Sequence, residues 1–300
     1  MLLSTILIAV LAASPVFAAY ENLEDFKIPD TGVLFKFDGN ADDAFGNLNG
    51  VMKGNITFTD GRDGTKNGAV LLDETDDFIE LLKNDYTGDW TANFWVKKME
   101  NTQYSFLLMS MDYSIRLDQF GTDGCIGVSQ HGTVDEVTDA QVQVGEWTML
   151  TFVHTQADSL VNIYINGEYM SGIFTTMPLP LTLLGNDSPD IKGWQTPLMA
   201  ALDDVWLLGR ALSNTDITKL YKTGTISGIT LPSAKADETP AAAEKTQITE
   251  PQTAANTQNV PESTAAAAPQ TSDFFAIILA LGITVSVLGV YLSGKKKSLI

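Results

Sequence analysis

Cysteine is all but missing from these 300 residues. The single Cys125 cannot close an internal disulfide, so the fold has to stand on its core. It lies in the strand-like run Gly124-Cys125-Ile126-Gly127-Val128, where a small buried hydrophobe is expected rather than a nucleophile. Histidine is scarce as well, with only His131 and His154. No Gly-x-Ser-x-Gly, His-Glu-x-x-His or glycine-rich phosphate loop occurs, and no Glu-x-Asp-x-x-Glu pattern of a sandwich-type glycosidase. The chain is therefore read as non-catalytic. Positive charge is short too: 18 Lys and Arg stand against 37 Asp and Glu, a net charge of −19. Such a balance argues against nucleic acid as a partner, and against electrostatic docking on anionic lipid.

Aromatic residues are absent from the stretch 233–270, which is rich in Thr, Ala, Pro, Glu and Gln. It cannot bury enough surface to offset its ordering entropy and is expected to be a disordered linker. At roughly 3 Å per residue its reach is on the order of 100 Å, a stalk's length.

Long uncharged apolar runs occur only at the two ends. Residues 2–17 are followed by Ala18, and Val16-Phe17-Ala18 supplies a small-x-small cleavage pattern. Residues 1–18 read as a signal peptide, with cleavage after Ala18 or, as the alternative, Ala19. Residues 274–292 are apolar and uncharged, then come Lys295, Lys296 and Lys297. As a helix this run rises about 30 Å, enough to cross a bilayer with the lysines held in the cytoplasm. The expected location is the cell surface, with the domain outside.

Just before that run stands Ala268-Pro269-Gln270-Thr271-Ser272-Asp273. It resembles a sortase cell-wall sorting signal of Gram-positive bacteria, with Ala268 where Leu is usual and Ser272 where Gly is usual. The resemblance implies cleavage between Thr271 and Ser272 and a sortase as partner. The other reading of 271–300 is a plain transmembrane anchor with a basic tail.

Between leader and linker lie about 210 residues, 19–232, the size of one large domain. They read as strands: 33–37, 69–72, 78–81, 92–97, 105–109, 113–117, 147–153 and 161–165 alternate or run apolar between Asp-Gly, Asn-Gly and Gly-Asn turns. Asn166-Gly167 is a two-residue hairpin signal. A short helix is expected at 213–221, capped by Ser213, with Ile217, Leu220 and Tyr221 facing inward. The class is all-β, an antiparallel two-sheet β-sandwich. Trp95 and Trp147 lie in apolar strands and are expected as core anchors. In Leu202-Asp203-Asp204-Val205, alternation places the two carboxylates on opposite faces.

Four segments carry a family resemblance: Phe37-Asp38-Gly39-Asn40 with Asp42-Asp43; Trp90 to Lys97; Gly145-Glu146-Trp147-Thr148 on to Asn166-Gly167-Glu168; and Leu202-Asp203-Asp204-Val205 with Arg210-Ala211-Leu212-Ser213. In this order they resemble the laminin-G-like, concanavalin A-like jelly roll, over roughly residues 31–224. The resemblance implies a structural Ca²⁺ held by Asp38, Asp43 and Asp204; the alternative is that Asp38-Gly39-Asn40 is a turn and Asp43 is solvated. The same fold hosts lectins, adhesins, enzymes and spacers, so the resemblance does not choose the role; a glycan or a surface protein is the expected partner.

For a sugar, Trp194 in the polar stretch 186–195 is the candidate stacking platform, with Gln195 and Asn186 bonding hydroxyls. The alternative makes Trp194 a lid on the sandwich edge. Tyr104, Tyr113 and Phe120 are weaker candidates. The function expected is a carbohydrate-binding, lectin-like module on a flexible stalk. The alternatives are a protein-binding adhesin or structural surface protein, and a divergent glycoside hydrolase.

Overall fold

Alternation along Trp90–Lys98 (β6) sorts its residues between two apolar layers. Trp90, Ala92, Phe94 and Val96 enter the main core, while Trp95 packs with a second cluster on the other side. Both faces of this central strand are thus covered, and its polar residues need partners: the Thr151 hydroxyl donates to the Asn93 side-chain carbonyl at 2.7 Å. The computed structural model describes residues 23–119, 124–186 and 196–232. The leader 1–18, the linker 233–270, the segment 271–300 with Thr271 and Ser272, and Phe120, Trp194 and Gln195 lie outside the described residues.

Two antiparallel sheets form the domain. One runs in the order Glu168–Phe174 (β13), Leu160–Ile165 (β12), Trp147–Thr155 (β11), β6, Ala200–Leu208 (β15), Ala69–Leu72 (β4) and Thr57–Thr59 (β3). Val33–Phe35 (β1) adds to it by pairing with β15. The other runs Val134–Gln141 (β10), Cys125–Gln130 (β9), Tyr113–Asp118 (β8), Ser105–Met109 (β7), Leu183–Leu184 (β14), Phe78–Glu80 (β5) and Val51–Lys53 (β2). Phe35, Phe94, Ile115, Leu117, Phe152 and Leu184 belong to the apolar layer between them.

The single described helix, Asn214–Thr223 (α1), covers the outer face of the eight-stranded sheet. Ser213 caps it, its hydroxyl accepting the Asp216 N–H at 3.2 Å. Gly224 ends it in the left-handed region and donates to the Leu220 carbonyl. Ile217 and Leu220 are buried against Trp206 and Tyr164, while Tyr221 stays partly exposed with its ring stacked on Trp95. Burying those two aliphatic side chains stabilises the helix by about 1.5–3 kcal/mol each. The Asn166-Gly167 turn has positive φ at both residues (51° and 83°), the geometry of a type I′ hairpin. Trp95 and Trp147 are half-buried rather than enclosed.

Candidate functional site

The strand alternation expected at Asp203 and Asp204 is broken. The register of β15 against β6 shifts between Asp203 and Trp206, and Asp204 has a φ of 41°. Both carboxylates therefore line one cleft instead of opposite faces. The other wall is the turn between β3 and β4. Gly61 lets that turn come close: a Cβ there would lie 3.2 Å from the Asp203 carboxylate and 3.0 Å from the Gly68 carbonyl.

Arg62 links the two walls. Its main-chain N–H donates to Asp203 Oδ2 at 3.0 Å. Its Nε and Nη2 both donate to Asp204 Oδ2, at 3.1 and 2.6 Å. Its guanidinium carbon stands 4.8 Å from the centre of the Trp95 ring, which also stacks on Tyr221 of α1 at 5.8 Å. Burial pushes the Asp203 carboxyl up to about 7; the Asp204 charge adds to this, and the Arg62 N–H opposes it. Asp204 is held as the partner of a cation.

The cleft has a volume of about 610 Å³. Lys36, Asp38, Asp63, Lys66 and Asn67 are among its other polar lining residues, and Trp206 also lines it. Lys36 and Asp38 form a loose exposed pair at 3.8 Å. Donors and acceptors of both signs thus face one open space. Asp203 and Asp204 are neighbours on one strand, not carboxylates from facing walls.

Of the three residues expected to hold calcium, the structure brings Asp38 and Asp204 to this cleft and places Asp43 apart from it. Asp43 is buried, and both its oxygens are engaged: Oδ1 accepts the N–H groups of Leu34 and Phe45, and Oδ2 accepts that of Asn47. This carboxylate folds the turn after β1 and ties it to that strand. Among the described residues no three His, Cys, Asp or Glu side chains are grouped to hold a metal. Asp43 accepts three amides and Asp204 accepts from Arg62, so the three carboxylates are not gathered at one point.

The remaining sequence candidates lie elsewhere. Asn186, just after β14, is buried and donates to the Thr75 carbonyl at 2.9 Å. Tyr104 packs beside Phe106 on the other sheet, where the Arg116 guanidinium stands 4.6 Å from the Phe106 ring centre and 5.9 Å from that of Tyr104. Tyr113 leans on the main core. His154 is buried, stacks on Trp90 and bonds the Gly88 carbonyl through Nδ1. Sequence reasoning missed Arg62, although the Gly61-Arg62-Asp63-Gly64 turn placed a lone arginine among acidic neighbours. Asp77, in the acidic run 73–77, is buried and accepts the N–H groups of Asn55 and Glu74.

Comparison with known proteins bears on the fold. A family profile described as the concanavalin A-like lectin/glucanases superfamily (Laminin_G_3) matches residues 63–218. Domain 4 of AbnA, a GH43 extracellular arabinanase from Geobacillus stearothermophilus solved with arabinotriose, superposes with a TM-score of 0.52 at 21% identity, over 64% of this chain and 98% of that one. The binding domain of Paraclostridial Mosquitocidal Protein 1 gives 0.45 at 20% identity, over 68% and 52%. The binding domain of botulinum neurotoxin DC, in complex with SialylT, gives 0.46 at 12% identity, over 64% and 50%. The chain thus spans about half the length of the two toxin domains. No curated protein sequence matches it.

Proposed function

The chain belongs to the concanavalin A-like lectin/glucanase superfamily, and from that premise we propose that its domain is a non-catalytic, lectin-like module that takes a glycan in the Arg62 cleft. The observation that carries this reading is the lining. An open space of about 610 Å³ presents Lys36, Arg62 and Asn67 as donors beside Asp38 and Asp204 as acceptors. A polyhydroxylated ligand offers matching groups of both kinds, and an apolar ligand does not. The related arabinanase domain, known with arabinotriose bound, supports the ligand class. In this reading Asp203 serves as a structural acceptor for the Arg62 main chain.

The leader at 1–18, the stalk at 233–270 and the apolar run at 274–292 support display of this domain outside the cell, anchored to membrane or wall. A sortase product would end at Thr271, whereas a membrane fraction retaining 274–292 would point to the plain anchor. Binding is tested by probing the domain, 19–232, and its Arg62→Ala variant against a glycan array.

A second reading, a protein-binding adhesin, draws on β13. This edge strand exposes Tyr169, Met170 and Phe174, the last 82% accessible. Binding to a protein ligand that survives deglycosylation and is lost on Phe174→Ser would favour it.

A further inference from the structure

The alternation that sends Trp90, Ala92, Phe94 and Val96 between the sheets continues to Lys98, at the end of β6. Lys98 is fully buried, the only lysine so placed among the described residues. Its Nζ contacts Oδ1 of Asp118, also fully buried, at the end of β8 in the opposite sheet. The other carboxylate oxygen, Oδ2, accepts the Ser105 hydroxyl at 3.0 Å, the Thr102 hydroxyl at 3.1 Å and the Thr102 N–H at 3.4 Å. Ser105 Oγ in turn accepts the Asp118 N–H at 3.1 Å, which directs its own proton toward Oδ2.

A fully desolvated ammonium and carboxylate recover little net stability from their attraction, because each has given up its water. The same pair stripped of charge is an amine beside a carboxylic acid, held in contact with one oxygen in a three-donor cradle. We propose that Lys98 and Asp118 condense into an intramolecular isopeptide bond that joins the two sheets.

A proton passes from the ammonium to Oδ1, leaving a neutral amine. The amine lone pair attacks Cγ of Asp118, and negative charge develops on Oδ2, where Ser105 and Thr102 stabilise it as an oxyanion hole does. A second proton moves from nitrogen to Oδ1, the Cγ–Oδ1 bond breaks, and Oδ1 departs as water. One C–N bond replaces one C–O bond, no atom changes oxidation state, and Oδ2 remains as the amide carbonyl in the same cradle. Fixed contact between the reacting groups supplies the effective concentration, and the dry surroundings protect the product from hydrolysis.

The test is mass spectrometry of tryptic fragments from the full-length protein and its Lys98→Arg variant. The wild type is expected to resist cleavage after Lys98, and to yield one species in which the Lys98 and Asp118 peptides are joined, lighter than their sum by one water. Lys98→Arg keeps the positive charge but loses the amine, and is expected to give both peptides linear at full mass. Linear wild-type peptides at full mass, with normal cleavage after Lys98, would overturn the proposal and leave an ion pair.

Discussion

The main-chain N–H of Arg62 donates to the Asp203 carboxylate at 3.0 Å across 141 residues of sequence. The bond holds the turn before β4 against the last strand, and every property proposed for the cleft depends on that closure.

The same contact gives the domain a pH signature. Burial raises Asp203 to about 7 and, with a smaller contribution from the Asp112 charge, Asp85 to about 6. A carboxyl whose folded value exceeds its unfolded value near 3.8 binds more protons folded than unfolded between the two. Its contribution is therefore full below about pH 4 and is lost as pH rises through the folded value. Asp203→Asn removes this for one site while leaving an oxygen to accept the Arg62 N–H. In melting curves from pH 4 to 8, the wild type should lose stability relative to Asp203→Asn as pH rises, with the gap growing up to about pH 7. A constant gap would contradict the assignment.

Arg62→Ala removes the bonds to Asp204 and the contact over Trp95. Both partners are partly exposed, so the expected loss is about 1 kcal/mol of unfolding free energy by urea titration. Arg62→Lys should recover little of it, because a single ammonium cannot reproduce the two-nitrogen contact with stacking.

Calcium should not move the melting temperature. The carboxylates that would ligate it are committed, Asp43 to three amides and Asp204 to Arg62. Differential scanning fluorimetry of 19–232 in excess calcium and in chelator should overlay. Stabilisation by calcium would show that these partners yield to the ion.

The helix against the outer face is tested separately. Ser213→Ala removes the cap and should cost about 1 kcal/mol. Ile217→Ala opens a hole between α1 and the sheet and should cost about 2–5 kcal/mol. Equal costs would mean that α1 packs loosely.

Much of this fold was readable because local patterns agree with the tertiary structure. Regular alternation revealed β6, β11 and β12, Asn166-Gly167 marked its hairpin, and Ser213 marked the helix start. β10 escaped because it is an edge strand whose residues are mostly exposed, so no apolar face gives it away. The cleft escaped for another reason. A register shift at Asp203 has no local sequence signature, and the partners of Asp203 and Asp204 come from a turn far away in the chain. The amide-gathering role of Asp43 was not legible either, because a carboxylate that gathers backbone amides uses the same Asp-rich turn as one that gathers an ion.

The most direct test of the central claim is glycan binding by the 19–232 domain, with any hit titrated calorimetrically against wild type, Arg62→Ala and Phe174→Ser. Saturable glycan binding that is lost in Arg62→Ala and kept in Phe174→Ser is the predicted result. No glycan binding by a folded wild-type domain, or binding that Arg62→Ala leaves intact, would contradict it.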